Sequence, residues 1–174
     1  ISRMNNIAHI SDLHLSYNDE KENKKKLVDL LKDIKNRNCD HLVITGDLVE
    51  NPEIKDLIYV KEILSHFDYT DSSKLSIVPG NHDIFGGAKK GIEEGLFFSN
   101  VCKNVNYNEN VDKFIEVFKD SCNSEMSFPY LKIFDDIAII GINSIDHWSA
   151  EKNPEGSNGR IDENEIKKLK KIFT

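Results

Sequence analysis

Three short stretches of the chain bring together side chains able to hold a metal ion. The first is Asp12-x-His14, the second Gly46-Asp47, and the third Asn81-His82-Asp83 directly after Pro79-Gly80. Carboxylate, imidazole and amide oxygen suit borderline or hard divalent metals such as Mn, Fe, Zn or Mg, and no cysteine lies in any of the three to suggest a thiolate site. Taken singly, an Asp-x-His or a Gly-Asp is a common chance pair that serves as well to cap a strand end. All three in order, each behind an apolar run, make a much stronger signal.

The apolar runs are the elements that must position these groups. Ile7 to Ile10, Leu42 to Thr45 and Ile77-Val78 are short and β-branched, as buried strands are. Between the first two, Leu27, Leu30, Leu31 and Ile34 recur at helical spacing over about 24–37, with the lysines on the opposite face. Between the second and third, Asn51-Pro52-Glu53 starts a helix whose apolar face is Ile54, Leu57, Ile58 and Leu64 and which ends near Phe67. Strand, helix, strand, helix, strand implies a parallel sheet. Parallel strands deliver their carboxyl ends to one edge, so Asp12, His14, Asp47, Asn81 and His82 are expected to converge there. His41, at the start of its strand, and His66, at a helix end, are read as structural.

The ordered series Asp12-x-His14, Gly46-Asp47, Gly80-Asn81-His82-Asp83 resembles the calcineurin-like metallophosphoesterase family, whose pattern is D-x-H, G-D-x-x, G-N-H-[DE], a lone His and a final G-H-x-H. The resemblance implies two divalent metal ions, Mn, Fe, Zn or Mg. Asp12 and His14 would hold one, Asp47 would bridge both and Asn81 would hold the second. His82 would then act on the leaving oxygen, with Asp83 orienting its ring, while a two-metal-activated water attacks phosphorus. No histidine follows His147, so the G-H-x-H motif is absent and the lone upstream His has no clear counterpart. Residues 4–174 are therefore read as the N-terminal part of a single metallophosphoesterase domain lacking its C-terminal portion, with 1–3 set aside as an expression scar.

Beyond Asp83 the pattern loosens. Gly86-Gly87, Gly91 and Gly95 among Phe85, Phe97 and Phe98 suggest an irregular or partly helical segment, either a lid over the site or a surface excursion. Val111, Phe114, Ile115 and Phe118 mark a short amphipathic helix, and Tyr130–Phe134 with Ile137–Ile142 flank Asp135-Asp136 as an antiparallel hairpin. The expected fold class is α/β, a layered α/β/β/α sandwich whose hairpin begins the second sheet. Gly141-Ile142-Asn143-Ser144 resembles a stretch of the cyclic-nucleotide phosphodiesterase branch, and Asp146, His147 and Trp148 follow at the strand's exit. Asp162-x-x-Glu165 opens a last helix with Ile166, Leu169 and Phe173 facing inward.

Composition sets the outer limits. At 174 residues, 39% hydrophobic and 30% charged, the chain is of one-domain size. A net charge of -7 argues against general nucleic-acid binding, which needs a basic surface. The three cysteines form no disulfide or zinc pattern, which points to a reducing cytoplasm. The apolar run at 137–142 is far short of the roughly 20 residues of a membrane span, and the N-terminus shows no signal-peptide core. The expectation is a metal-dependent hydrolase, phosphodiesterase or phosphatase, acting on a small phosphorylated substrate with nucleotides among the candidates. The competing expectation is a non-catalytic scaffold or binding module on the same fold.

Overall fold

A computed structural model describes residues 5–18, 21–93, 95–122 and 127–172. Strands β1 (Ile7–Ile10), β2 (His41–Thr45) and β3 (Leu75–Val78) form a parallel sheet in the order β1-β2-β3. The register pairs Ile10 with Ile44 and Thr45 with Val78, so the strands end nearly level at their carboxyl side. Helix α1 (Lys21–Asn36) buries Leu27, Leu31 and Ile34, an i, i+4, i+7 stripe, and leaves its lysine face wet. It closes through Asn38 in the left-handed region (φ 52), with the Cys39 N–H donating to the Ile34 carbonyl.

Helix α2 (Ile54–Ser65) turns a different face inward from the one expected. Ile54 and Ile58 are 40% and 43% exposed, and the buried side chains are Leu57, Val60, Ile63 and Leu64. At 100° per residue, 57, 60 and 64 share one stripe and 54 and 58 are rotated off it. Leu57 and Leu64 face inward as expected and Ile54 and Ile58 do not, because which stripe is buried depends on the sheet and on the helix that packs against α2.

Helices α3 (Asn81–Phe85), α4 (Ala88–Glu93) and α5 (Phe98–Lys103) occupy the glycine-rich stretch, so it is mostly helical rather than irregular. Helix α6 (Tyr107–Cys122) is much longer than the apolar repeat alone suggested. Its start is set by a reciprocal cap: Asn106 Oδ1 accepts from the Glu109 N–H, and Asn106 Nδ2 donates to Glu109 Oε2 at 3.1 Å. Phe114, Val117 and Phe118 face the core, with α6 packed on α2 and β3.

The hairpin β4 (Tyr130–Phe134) and β5 (Ile137–Gly141) is antiparallel and turns at Asp135 (φ 50). Two side chains tie it to the first sheet. The Tyr130 hydroxyl accepts from the Ile77 N–H (2.9 Å) and donates to the Ile77 carbonyl (2.8 Å), while the Lys132 ammonium donates to the Ser72, Ser121 and Leu75 carbonyls. The fold is thus the expected mixed α/β class, a parallel three-stranded sheet with an antiparallel pair beside it.

A smaller core of Ile84, Phe85 and Cys102, joined by Tyr107, Val111, Ile145 and Trp148, anchors the segment after β3. Helix α7 (Glu163–Ile172) is the clearest departure. Its cap forms, Asp162 Oδ1 accepting from the Glu165 N–H at 2.8 Å, yet it buries no side chain. Ile166 is 41% exposed, Leu169 is half-buried, and Phe173 lies outside the described residues. Amphipathic spacing gives a helix an apolar face but supplies nothing to cover it. No helix among the described residues is long and apolar enough to cross a membrane.

Candidate metal centre

The sheet ends where the chemistry begins. Past the last strand residues the loops after β1 and β2 keep pairing: the N–H of Asp12 donates to the Gly46 carbonyl (3.1 Å), that of His14 to the Asp47 carbonyl (2.9 Å) and that of Leu15 to the Leu48 carbonyl (2.9 Å). To stay in step, Asp12 (φ 57), His14 (φ 44) and Asp47 (φ 52) all adopt left-handed backbone, which costs a non-glycine residue energy and clusters at functional sites. Gly46 (φ 88) lies so near the third loop that a Cβ there would stand 2.6 Å from Gly80 Cα, and a Cβ on Gly80 would run into the Asp47 backbone and carboxylate. These two positions accept glycine alone, and their contact brings Asp47 beside α3.

Asp83 clasps the arrangement from beneath. Fully buried, its carboxylate accepts from the N–H groups of Leu48 (2.9 Å), Val49 (3.0 Å) and Gly80 (2.8 Å), locking the loops after β2 and β3 together. Burial pushes its pKa up to about 7, against the pull of those three donors. Asp83 is thus engaged with backbone, and the carboxylate beside the His82 ring is that of Glu50.

Two groups of ligand-type atoms form above this clasp, each with all atoms within 4.8 Å: Asp12, His14 and Asp47 in one, His14, Glu50 and His82 in the other. The His14 and His82 rings meet edge to face at 4.4 Å. Glu50 Oε2 stands 3.3 Å from His14 Nδ1 and 3.6 Å from His82 Nδ1, and Asp47 Oδ2 stands 3.9 Å from His14 Nε2. The His82 N–H donates to Asp47 Oδ1 at 2.9 Å, and Asn81 opens α3 just before it.

The donor set fits a metal. Both Nδ1 atoms are shut off from solvent without a hydrogen-bond partner, an arrangement that is rare unless something absent satisfies the groups. Separations of 3.3 to 3.9 Å are long for hydrogen bonds but near the roughly 3 to 3.5 Å between two ligands that each lie about 2.1 Å from one ion. Three carboxylates in so small a volume favour a divalent cation.

Asp12, His14, Asp47 and His82 therefore meet at one edge, with Asn81 next to His82 at the start of α3. Glu50 was missed. Its signal was faint, an acid directly after the buried pair Leu48-Val49, three positions past Asp47. His147 belongs to neither group among the described residues; its ring lies 3.9 Å from that of Tyr107, by a groove that Asn143 and Arg160 also line. His41 is structural as expected: buried, it donates from Nδ1 to the Ser73 carbonyl and accepts at Nε2 from the Ser76 hydroxyl.

Parallel sheet, strained loops and clustered ligand atoms define the class, an α/β domain with a metal-ligating strand edge. The calcineurin-like phosphoesterase profile matches residues 6–170, and the chain belongs to that family. A search of curated proteins returns no match. Family membership gives metal-dependent phosphoester hydrolysis as the chemistry of this fold, with divalent ions as its cofactors.

Proposed function

We propose that this chain hydrolyses a phosphoester, phosphodiesters in preference, using two divalent ions held side by side. What supports the reading is that two ligand groups, Asp12-His14-Asp47 and His14-Glu50-His82, adjoin at His14. Asp12 and His14 would hold one ion, Asp47 would serve both and Asn81 the second, with Glu50 offering a further carboxylate between the two imidazoles. When bound, such ions supply Lewis-acid activation of water and of the phosphoryl group. The chain's own residues do the rest. His82, fixed through its N–H to Asp47, protonates the leaving oxygen, and Asp83 holds the loop that presents it.

The preference for diesters rests on the Gly141-Ile142-Asn143-Ser144 likeness, and the substrate is a small phosphorylated molecule met in the cytoplasm. The test is metal content together with hydrolysis of bis-p-nitrophenyl phosphate and p-nitrophenyl phosphate. Asp47→Asn is expected to lose both activity and most of the metal, because an amide cannot supply the shared negative charge. Unchanged metal content and turnover in that variant would sink the reading.

A further inference from the structure

The loop after β1 carries Asp12 and His14, and the Asp83 clasp does not hold it: the three hydrogen bonds of that carboxylate go to the loops after β2 and β3. Other groups set its course. Within the sheet edge, the His14 N–H is held by Asp47, and the Leu15 carbonyl accepts from the Glu50 N–H at 3.0 Å. From the helices, two side chains reach in. Asn23, in the first turn of α1, donates from Nδ2 to the His14 carbonyl at 3.3 Å, and Asp56, in the first turn of α2, accepts from the Tyr17 N–H at 2.8 Å.

Asp56 is only 2% exposed, and among the described residues its carboxylate has no ion-pair partner and a single hydrogen-bond donor, Tyr17. Burying a carboxylate in this way is unfavourable, and one hydrogen bond offsets only part of the cost. The bond covers little apolar surface, since Tyr17 itself is 62% exposed. What it holds is the chain. The Tyr17 ring meets that of Tyr59 on α2 edge to face at 5.4 Å, and Lys24 of α1 lies 5.1 Å over the same Tyr59 ring, so both helices converge on this loop. His14 needs that support, because left-handed backbone (φ 44) at a non-glycine residue persists only where the surroundings over-determine it. Both of its backbone groups are bonded and the chain is pinned again at Tyr17, which delivers the imidazole to one place.

We propose that Asp56 and Asn23 are positioning residues for the metal centre, fixing the turn at His14 so that its imidazole stands where one divalent ion can share it with Asp12 and Asp47. The inference rests on the metal-site reading, and a metal-free measurement separates the two. The experiment pairs Mn binding by calorimetry with amide hydrogen exchange of the metal-free protein in EDTA. Asp56→Ala is expected to weaken Mn binding by about 10-fold. In the same variant the His14 and Leu15 N–H groups should exchange about 10-fold faster relative to that of Ile44, which lies mid-sheet between β1 and β3. Asp56→Asn keeps an oxygen for the Tyr17 N–H while removing the charge, so it should stay within about threefold of wild type in both measurements. Asn23→Ala should cost about threefold in each, and it carries the test should Asp56→Ala fail to fold. A contact that merely stabilises the fold lowers the unfolding midpoint but leaves the Mn affinity of the folded protein and the exchange ratio as they were. That result in the alanine variants overturns the proposal, as does an asparagine variant as weak as alanine at position 56, which would make charge the operative property. Faster exchange in the alanine variants, with no Mn bound even by the wild type, upholds the clamp on the loop and overturns the metal-site reading instead.

Discussion

Replacing Asp83 should loosen the whole strand edge, and the geometry says by how much. In Asp83→Ala, the Leu48 and Val49 N–H groups lose their buried acceptor and Gly80 loses a partly buried one. An orphaned buried donor costs about 1–3 kcal/mol, so the two buried ones together cost about 2–6 kcal/mol, and the relief of no longer burying a carboxylate brings the expected loss to about 3 kcal/mol. Asp83→Asn is the sharper probe. Its single oxygen can still serve Leu48 and Val49, but its NH₂ then faces the Gly80 N–H, donor against donor, for a loss of about 2 kcal/mol. Against a typical domain stability of 5–15 kcal/mol, the alanine variant becomes marginal and the asparagine variant stays folded. Urea unfolding followed by far-UV circular dichroism, in EDTA so that metal binding does not contribute, gives both values from the midpoints. The clasp is refuted if Asp83→Asn falls within 0.5 kcal/mol of wild type, or if alanine is no worse than asparagine.

Other perturbations test neighbouring parts of the argument. Gly80→Ala pushes a methyl into Asp47, so it should destabilise by about 1–3 kcal/mol and weaken Mn binding measured by calorimetry; native affinity would mean the loops can part without cost. His82→Ala should keep the metal held by the intact Asp12-His14-Asp47 group yet slow turnover by about 10² to 10⁴, and loss of all metal instead would make His82 an essential ligand. His41 supplies a pH signature: burial lowers its pKa below 6.5, so its contribution is complete above that value and is lost as pH falls from 6.5 towards the folded pKa, where the unfolded chain binds the proton more readily. Unfolding midpoints between pH 7.5 and 5 should fall less steeply in His41→Gln than in wild type, and parallel slopes would refute the assignment.

The strand-loop chemistry was legible in the sequence because it is local. Apolar β-branched runs ending in Asp-x-His, Gly-Asp and Gly-Asn-His-Asp name both the strands and the groups at their tips, and parallel order alone sends those tips to one edge. The hairpin was legible for the same reason, its period and its Asp-Asp turn lying within a dozen residues. Whatever depended on a distant partner was not. Ile54 and Ile58 fit an apolar face as well as Val60 and Ile63 do, and only the sheet and α6 select between them. Ile166 and Leu169 have the spacing of a buried stripe but, among the described residues, find only partial cover. Glu50 and Asp83 are both acids close to a motif. The tertiary structure alone sends Asp83 down to three backbone donors and stands Glu50 between two imidazoles, because a carboxylate's role is set by which donors the fold brings within about 3 Å of it, and chain spacing does not encode that distance.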